Sequence, residues 1–179
     1  KDKEHKMADY SKDNKEKEEN TKDKFSKLYN IDAEQLGMGI VYNQKAVGKY
    51  KQEIEQTNNR LMKMTINTTP LKTNIIDVHA PHAGRSTKIK NEIYRQLNAT
   101  LDKTPKHQSN RIAGDFNAGI IERLPHEAKV LGTHRFREES TDINILSKSQ
   151  LNNRERLTEL CHTHKVIVSS AAFEKKQNI

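Results

Sequence analysis

Between Met62 and Leu101 the apolar positions change their period. Met62, Met64 and Ile66 alternate with Lys63 and Thr65, the spacing that turns one face of a strand toward a core. Ile89, Ile93, Leu97 and Leu101 then recur at every fourth position, the stripe of an amphipathic helix. A chain carrying both patterns must lay helix against sheet. The expected class is therefore α/β or α+β, with a mixed, mostly antiparallel sheet and helices packed on one side.

The remaining elements follow from local signals. Met38–Tyr42 is a short apolar run between Gly37 and Asn43, read as a strand. Thr68–Leu71 reads as a turn and Asn74–His79 as a strand stopped by Ala80-Pro81. The gap between Asn67 and Asn74 leaves no room for a crossover, so an antiparallel hairpin is expected. A helix is expected from Ser86 to Lys103, capped by Ser86 or Thr87, widened by Tyr94 and blocked by Pro105. Arg111–Ala113 is a brief strand leading into Gly114. Residues 118–150 are polar and carry no regular pattern. A second helix is expected from about Asn153, with Leu157, Leu160, Cys161 and His164 near one face, and Lys165–Val168 is the last expected strand.

Composition limits how much of the chain can form a core. Hydrophobic residues are 32% and charged residues 31%, and the mean hydropathy is −0.99. Residues 1–24 hold only Met7, Ala8 and Tyr10 as apolar side chains, too few to offset the entropy of ordering them. Residues 1–36 are expected to be a charged tail, largely disordered or helical, in which Phe25, Leu28 and Tyr29 form at most one amphipathic turn. Residues 37–179 are expected to be the domain. No stretch has the length and apolarity of a membrane span, and the lysine-rich N-terminus has no apolar core of a secretory signal. The single Cys161 excludes an internal disulfide. A reducing intracellular compartment is expected.

The net charge is +8, and nine lysines and eight acids in residues 1–30 leave +7 on the rest. Residues 60–111 hold ten Lys/Arg, among them Arg60 and Arg85, against three acids. Such a concentration suits a polyanion such as nucleic acid; a solvated helix face with ordinary surface lysines reads the same way.

Three motifs carry candidate chemistry. Gly114-Asp115-Phe116-Asn117-Ala118 directly follows a strand. Asp115 and Asn117, two apart, can face one pocket, where a carboxylate orients a water and a carboxamide donates to a phosphoryl oxygen. The same residue types also suit an Asx turn that closes a strand. Val78-His79-Ala80-Pro81-His82-Ala83-Gly84-Arg85 joins a strand to a helix N-terminus, a favourable place for phosphate, with His82 and Arg85 as added donors. A Pro-Gly turn with exposed histidines is the simpler account. Cys161-His162-Thr163-His164 lacks the second ligand pair that a structural zinc site needs, and reads as a core cysteine beside surface histidines.

The order of these motifs resembles the endonuclease/exonuclease/phosphatase superfamily, the DNase I-like fold. It is most similar to the endonuclease domains of non-LTR (LINE-type) retrotransposons and to craniofacial-development-protein-2-like sequences. The resemblance rests on Gly37–Ala46, Asn59–Lys63, Ile76–Pro81, Gly114–Ala118 and Asn153–Leu157 leading to Val166–Val168, and covers roughly residues 37–173.

The resemblance implies a four-layer α/β sandwich and a phosphodiester hydrolase acting on DNA with Mg²⁺ or Mn²⁺. Asp115 matches the aspartate that activates or orients the attacking water, and is the one candidate metal ligand. Asn117 matches the asparagine on the scissile phosphate. His79 stands where the family commonly has Tyr, and His82 where a phosphate-contacting polar residue lies. Arg85 and Arg60 are the candidate DNA-backbone contacts. A nuclear location and a reverse transcriptase in a longer reading frame are further implications.

The sequence also departs from the family. The metal-ligand Glu is expected before the Met38–Tyr42 strand, where only Glu16, Glu18 and Glu19 stand in a lysine-rich run. The catalytic Asp-His pair is expected beyond the Lys165–Ser169 segment, and Ser170-Ala171 replaces the usual Asn-Thr. The chain is thus expected to be the central part of the domain, inactive alone. The alternatives are a non-enzymatic, degenerate remnant that binds nucleic acid without specificity, and a phosphatase or phosphodiesterase of the same superfamily.

Overall fold

The computed structural model describes residues 25–29, 38–121, 123–134, 144 and 146–173. Most of the expected tail 1–36, with Glu16, Glu18 and Glu19, lies outside the described residues. Six strands are described: β1 (Phe25–Tyr29), β2 (Gly39–Asn43), β3 (Gln52–Asn58), β4 (Leu61–Ile66), β5 (Thr73–His79) and β6 (Ser109–Asp115). The helices are α1 (Gln44–Val47), α2 (Thr87–Asp102), α3 (Lys148–His164) and α4 (Ser169–Ala172), with a 3-10 turn at Pro125–Glu127. The fold is mixed α/β: β1 pairs with β2, and β3-β4-β5-β6 form a mixed sheet flanked by helices. Two compact units are distinguished, Lys1–Asp77 with His107–Arg111, and Val78–Lys106 with Ile112–Ile179.

In the first unit, Phe25–Tyr29 is a strand rather than the expected amphipathic turn. It pairs antiparallel with β2, Phe25 opposite Asn43 and Tyr29 opposite Gly39. The core here is Met38, Ile40, Met62, Met64 and Ile66, with Tyr42, Val47, Tyr50 and Ile75 packed on it. The alternation of Met62, Met64 and Ile66 thus selects one face of β4, as the period requires. The other face is not solvent-facing throughout, because Leu61 and Thr65 are buried too. Thr65 Oγ1 donates to Asn74 Oδ1 at 2.7 Å, and Asn74 Nδ2 donates to Gln108 at 2.9 Å and Asn110 at 3.0 Å. Side chains of β4, β5 and β6 are joined by this buried network, and its polar groups are satisfied as burial demands.

β3 is a strand with no apolar alternation to announce it. It pairs antiparallel with β4, Gln52 opposite Ile66 and Glu55 opposite Lys63, and a register shift interrupts the ladder between Gln56 and Asn58. It stands at the end of the strand order, and its residues from Glu53 to Thr57 are exposed. Lys63 Nζ lies 2.7 Å from Glu55 Oε2 across the pair. Charged residues and an irregularity on an end strand discourage further strand addition, so its polar sequence fits its place.

β5 and β6 run parallel. Asn74 lies beside Asn110, and Val78 beside Gly114, with the same offset at both points. The parallel pair makes the sheet mixed, and α2 is the crossover between its two strands.

In the second unit, α2 buries Lys90, Ile93, Tyr94, Leu97, Thr100 and Leu101. Ile89, the first member of the expected stripe, is 42% exposed. Ser86 is the N-cap, accepting from Ile89 N. α3 begins earlier than expected: Ser147 and Gln150 form a capping box that starts the helix at Lys148. Its Leu157 and Cys161 form a core with Val130 and Leu131, from the segment without a recognisable pattern.

The strand expected at Lys165–Val168 does not form. Lys165 ends α3 in the left-handed conformation (φ 55°), and its N–H turns back to Cys161 and His162 carbonyls. Val166 and Val168 pack on the core, but only Val168 meets a strand-like partner, an isolated parallel bridge to Leu131. The chain then enters α4. β-branched residues supplied the strand signal; the left-handed cap redirected the backbone.

Candidate functional site

The parallel neighbours β5 and β6 release their following loops on the same side, the usual place for a site in such a sheet. Ala80 N donates to Asp115 O at 2.8 Å, extending the ladder one step beyond β5. Gly114 permits this approach. Its φ is +130°, and a Cβ there would stand 1.9 Å from Val78 O. No other residue fits that backbone.

Beyond Asp115 the chain turns sharply. Asp115 Oδ1 accepts from Asn117 N at 2.8 Å, and Asn117 is left-handed at φ 48°. This is the Asx turn that the residue types allowed. Asp115 and Asn117 thus share one cleft through a turn, not through strand alternation. The cleft measures about 340 Å³ and is lined by Ala83, Asp115–Gly119 and Gln150.

Asn117 is held by both of its neighbours. Its Nδ2 donates to Ala80 O at 2.8 Å. Its carbonyl accepts from Asn153 Nδ2 at 3.0 Å, and the same Nδ2 donates to Pro81 O at 3.0 Å. Asn153 is fully buried. One side chain of α3 therefore fastens the two loops together. A carboxamide nitrogen carries two hydrogens, so Asn117 keeps one for a ligand.

The other expected residues occupy different surroundings. His79 is half-buried at the end of β5, and His82 and Arg85 are exposed in the loop before α2. His82 Nδ1 accepts from Gly84 N at 3.1 Å, which leaves Nε2 to carry the proton of the neutral ring. None of the three lines the cleft. Arg60 belongs to the first unit, in the β3–β4 turn, where its N–H donates to Asn58 Oδ1 at 2.6 Å.

Besides Asn153, three contributions have no signal in the sequence. Gln150 lines the cleft from α3. Lys90 is buried in α2 and donates to Ala83 O at 2.7 Å and Ser149 O at 3.4 Å. Burial, and then the guanidinium of Arg156, hold its ammonium below the ordinary lysine value. Arg154 is buried against Glu127, Nε to Oε1 at 3.0 Å, and its Nη1 donates to Gly119 O at 3.4 Å.

Asp115 is the carboxylate of the cleft, and one of its oxygens already accepts from Asn117. Among the described residues no three His, Cys, Asp or Glu side chains gather as metal ligands. Magnesium is held in near-octahedral geometry by one or two carboxylates with water and substrate phosphates; of these donors the described lining of the cleft supplies the carboxylate of Asp115. Cys161 is buried, and burial pushes its thiol up to about 11, which keeps it protonated and unreactive. Among the described residues no helix is long and apolar enough to cross a membrane.

Fold and cleft define a mixed α/β protein with a polar site at the ends of two parallel strands. No family model matches the chain, and no match is found among curated proteins.

Proposed function

We propose that the chain is the central part of a DNase I-like domain of the endonuclease/exonuclease/phosphatase type, a four-layer sandwich when complete, whose cleft binds a DNA phosphodiester for hydrolysis. The observation that carries this reading is the bond from Asn117 Nδ2 to Ala80 O, which locks Gly114–Ala118 against Ala80–Arg85, the two segments with family character. Asp115 orients the attacking water. The remaining amide hydrogen of Asn117 meets a phosphoryl oxygen, where developing negative charge makes a fixed donor most useful. Arg85, His82 and Arg60 supply attraction to the backbone. The divalent ion of the family would find one carboxylate in the described lining of the cleft, Asp115. On this reading the domain works in the nucleus beside a reverse transcriptase of the same reading frame.

A second reading is DNA binding without hydrolysis. The lone carboxylate of the cleft and the base-rich composition favour it. One experiment separates the two: nicking of supercoiled plasmid with Mg²⁺ and with EDTA, for the wild type and Asp115→Asn, beside a DNA-binding titration in salt. Mg²⁺-dependent nicking lost in Asp115→Asn supports hydrolysis. Salt-dependent binding without nicking by a folded sample leaves the binding reading. No binding overturns both, and a panel of phosphomonoesters then tests a phosphatase.

A further inference from the structure

We infer that Gln150 is a phosphate-contacting residue, and that α3 forms the second wall of the DNA cleft. The inference rests on the proposed function and names a contact that the family resemblance did not supply. Among the described lining residues, Gln150 comes from a helix, while the others belong to the end of β6 and the loops after β5 and β6. Its side chain is oriented at the other end. Oε1 accepts from Ser147 N at 2.9 Å and from Ser147 Oγ at 2.9 Å, and a flipped carboxamide would set its NH₂ against the Ser147 N–H donor. Nε2 makes no hydrogen bond among the described residues and is the donor that this side chain has left to offer.

The cleft sets the carboxylate of Asp115 beside one amide hydrogen of Asn117, the other being spent on Ala80 O. A phosphate bound beside Asp115 needs further N–H groups to offset the repulsion, and hydrogen bonds to a charged partner are the stronger kind. The wall is also built to hold Gln150 in place. Lys90 Nζ links Ala83 O, on the loop side, to Ser149 O, the residue before Gln150. Lys90 forms no ion pair among the described residues. Arg156 likewise binds neutral oxygens, Asn91 Oδ1 at 2.6 Å and Asn152 O at 2.9 Å. Among the described residues neither cation pairs with a carboxylate, and the Lys90 ammonium, bound to Ser149 O, gives this wall a field that favours an anion.

Two variants test this. Gln150→Glu keeps the acceptor for Ser147, since Ser-x-x-Glu is itself a capping box, but replaces the donor by an oxygen. Gln150→Met removes the donor without adding charge. The probe is a fluorescein-labelled DNA duplex, titrated at fixed salt, with thermal unfolding as the check on folding. Loss of a hydrogen bond to a charged group is expected to weaken binding by about tenfold or more in either folded variant. Wild-type affinity in either folded variant overturns the inference while the proposed function stands. A wild-type chain that binds no DNA overturns the proposed function itself.

Discussion

Asn117 reaches across the ends of two strands to Ala80, Nδ2 to carbonyl oxygen at 2.8 Å, while its own backbone is left-handed at φ 48°. One residue therefore supplies both the turn and the clasp. The two roles separate by mutation. Asn117→Gly keeps the conformation and loses a hydrogen bond, expected to cost about 1 kcal/mol. Asn117→Ala loses the bond and also strains the backbone, for about 2 kcal/mol in all. Urea unfolding measures both. Equal losses would show that the left-handed turn contributes nothing.

Gly114→Ala should be the most damaging single change near the cleft. The added Cβ meets backbone, Val78 O at 1.9 Å and Val78 C at 2.8 Å, at a φ of +130°. Backbone cannot rotate aside as a side chain can. Strain at such a φ alone costs about 1–3 kcal/mol, and overpacking about as much again. The expected result is a poorly folded product, seen as lost near-UV circular dichroism. A variant within 1 kcal/mol of the wild type (roughly the size of one ordinary hydrogen bond) would contradict the close approach of β5 and β6.

Arg154 and Glu127 are each 2% exposed and pair with each other. Removing one partner leaves a buried charge alone, which costs about 3–5 kcal/mol. Arg154→Met and Glu127→Gln are each expected to fall near the low end of that range, because Arg154 also reaches Gly119 O and Glu127 also accepts from Leu124 N. The double variant should lose less than the sum. A double-mutant cycle in urea reads the coupling, and additive losses would mean that the pair does not act as one.

How much of this was legible in the sequence depends on whether the signal was local. Periodicity marks β4 and α2, the stop at Ala80-Pro81 marks the end of β5, and Ser86 is one of the two caps that the sequence offers α2. β3 was missed because an end strand with exposed sides needs no apolar alternation. Thr65 looked solvent-facing because its partner Asn74 lies in the next strand. Asp115 and Asn117 were legible as a pair after a strand, and the Asx turn was legible as one of two readings. Asn153 was not assigned a role, because its contacts to Pro81 and Asn117 join positions far apart in the chain. Lys90, between Ile89 and Asn91, reads as an ordinary basic residue of the helix; only the fold shows it buried.

The Cys161 thiol makes stability depend on pH at the alkaline end. Burial raises it from 9.0 to about 11 in the folded chain. Below pH 9 both folded and unfolded thiols hold their protons, and the contribution is fully present. Above pH 9 the unfolded thiol ionises first, so the unfolded state binds fewer protons and stability falls until the folded thiol ionises near 11. Cys161→Ala should show a flatter decline between these values in urea unfolding. The native thiol should also resist iodoacetamide at pH 8 and react once urea is added. Fast alkylation of the native chain would refute the burial.

Lys90 distinguishes positioning from direct contact. Lys90→Met keeps the stem, loses the bonds to Ala83 O and Ser149 O, and relieves the burial of an ammonium without a counter-charge. These effects oppose one another, and stability is expected to stay within about 1 kcal/mol of the wild type. DNA affinity should nevertheless fall, because the wall that carries Gln150 is no longer held. The slope of log affinity against log salt separates the accounts. Each lysine that neutralises a phosphate contributes about 0.9 to that slope in duplex DNA. A positioning residue leaves the slope unchanged while affinity drops. A slope reduced by about one unit would instead place the Lys90 ammonium on the DNA backbone.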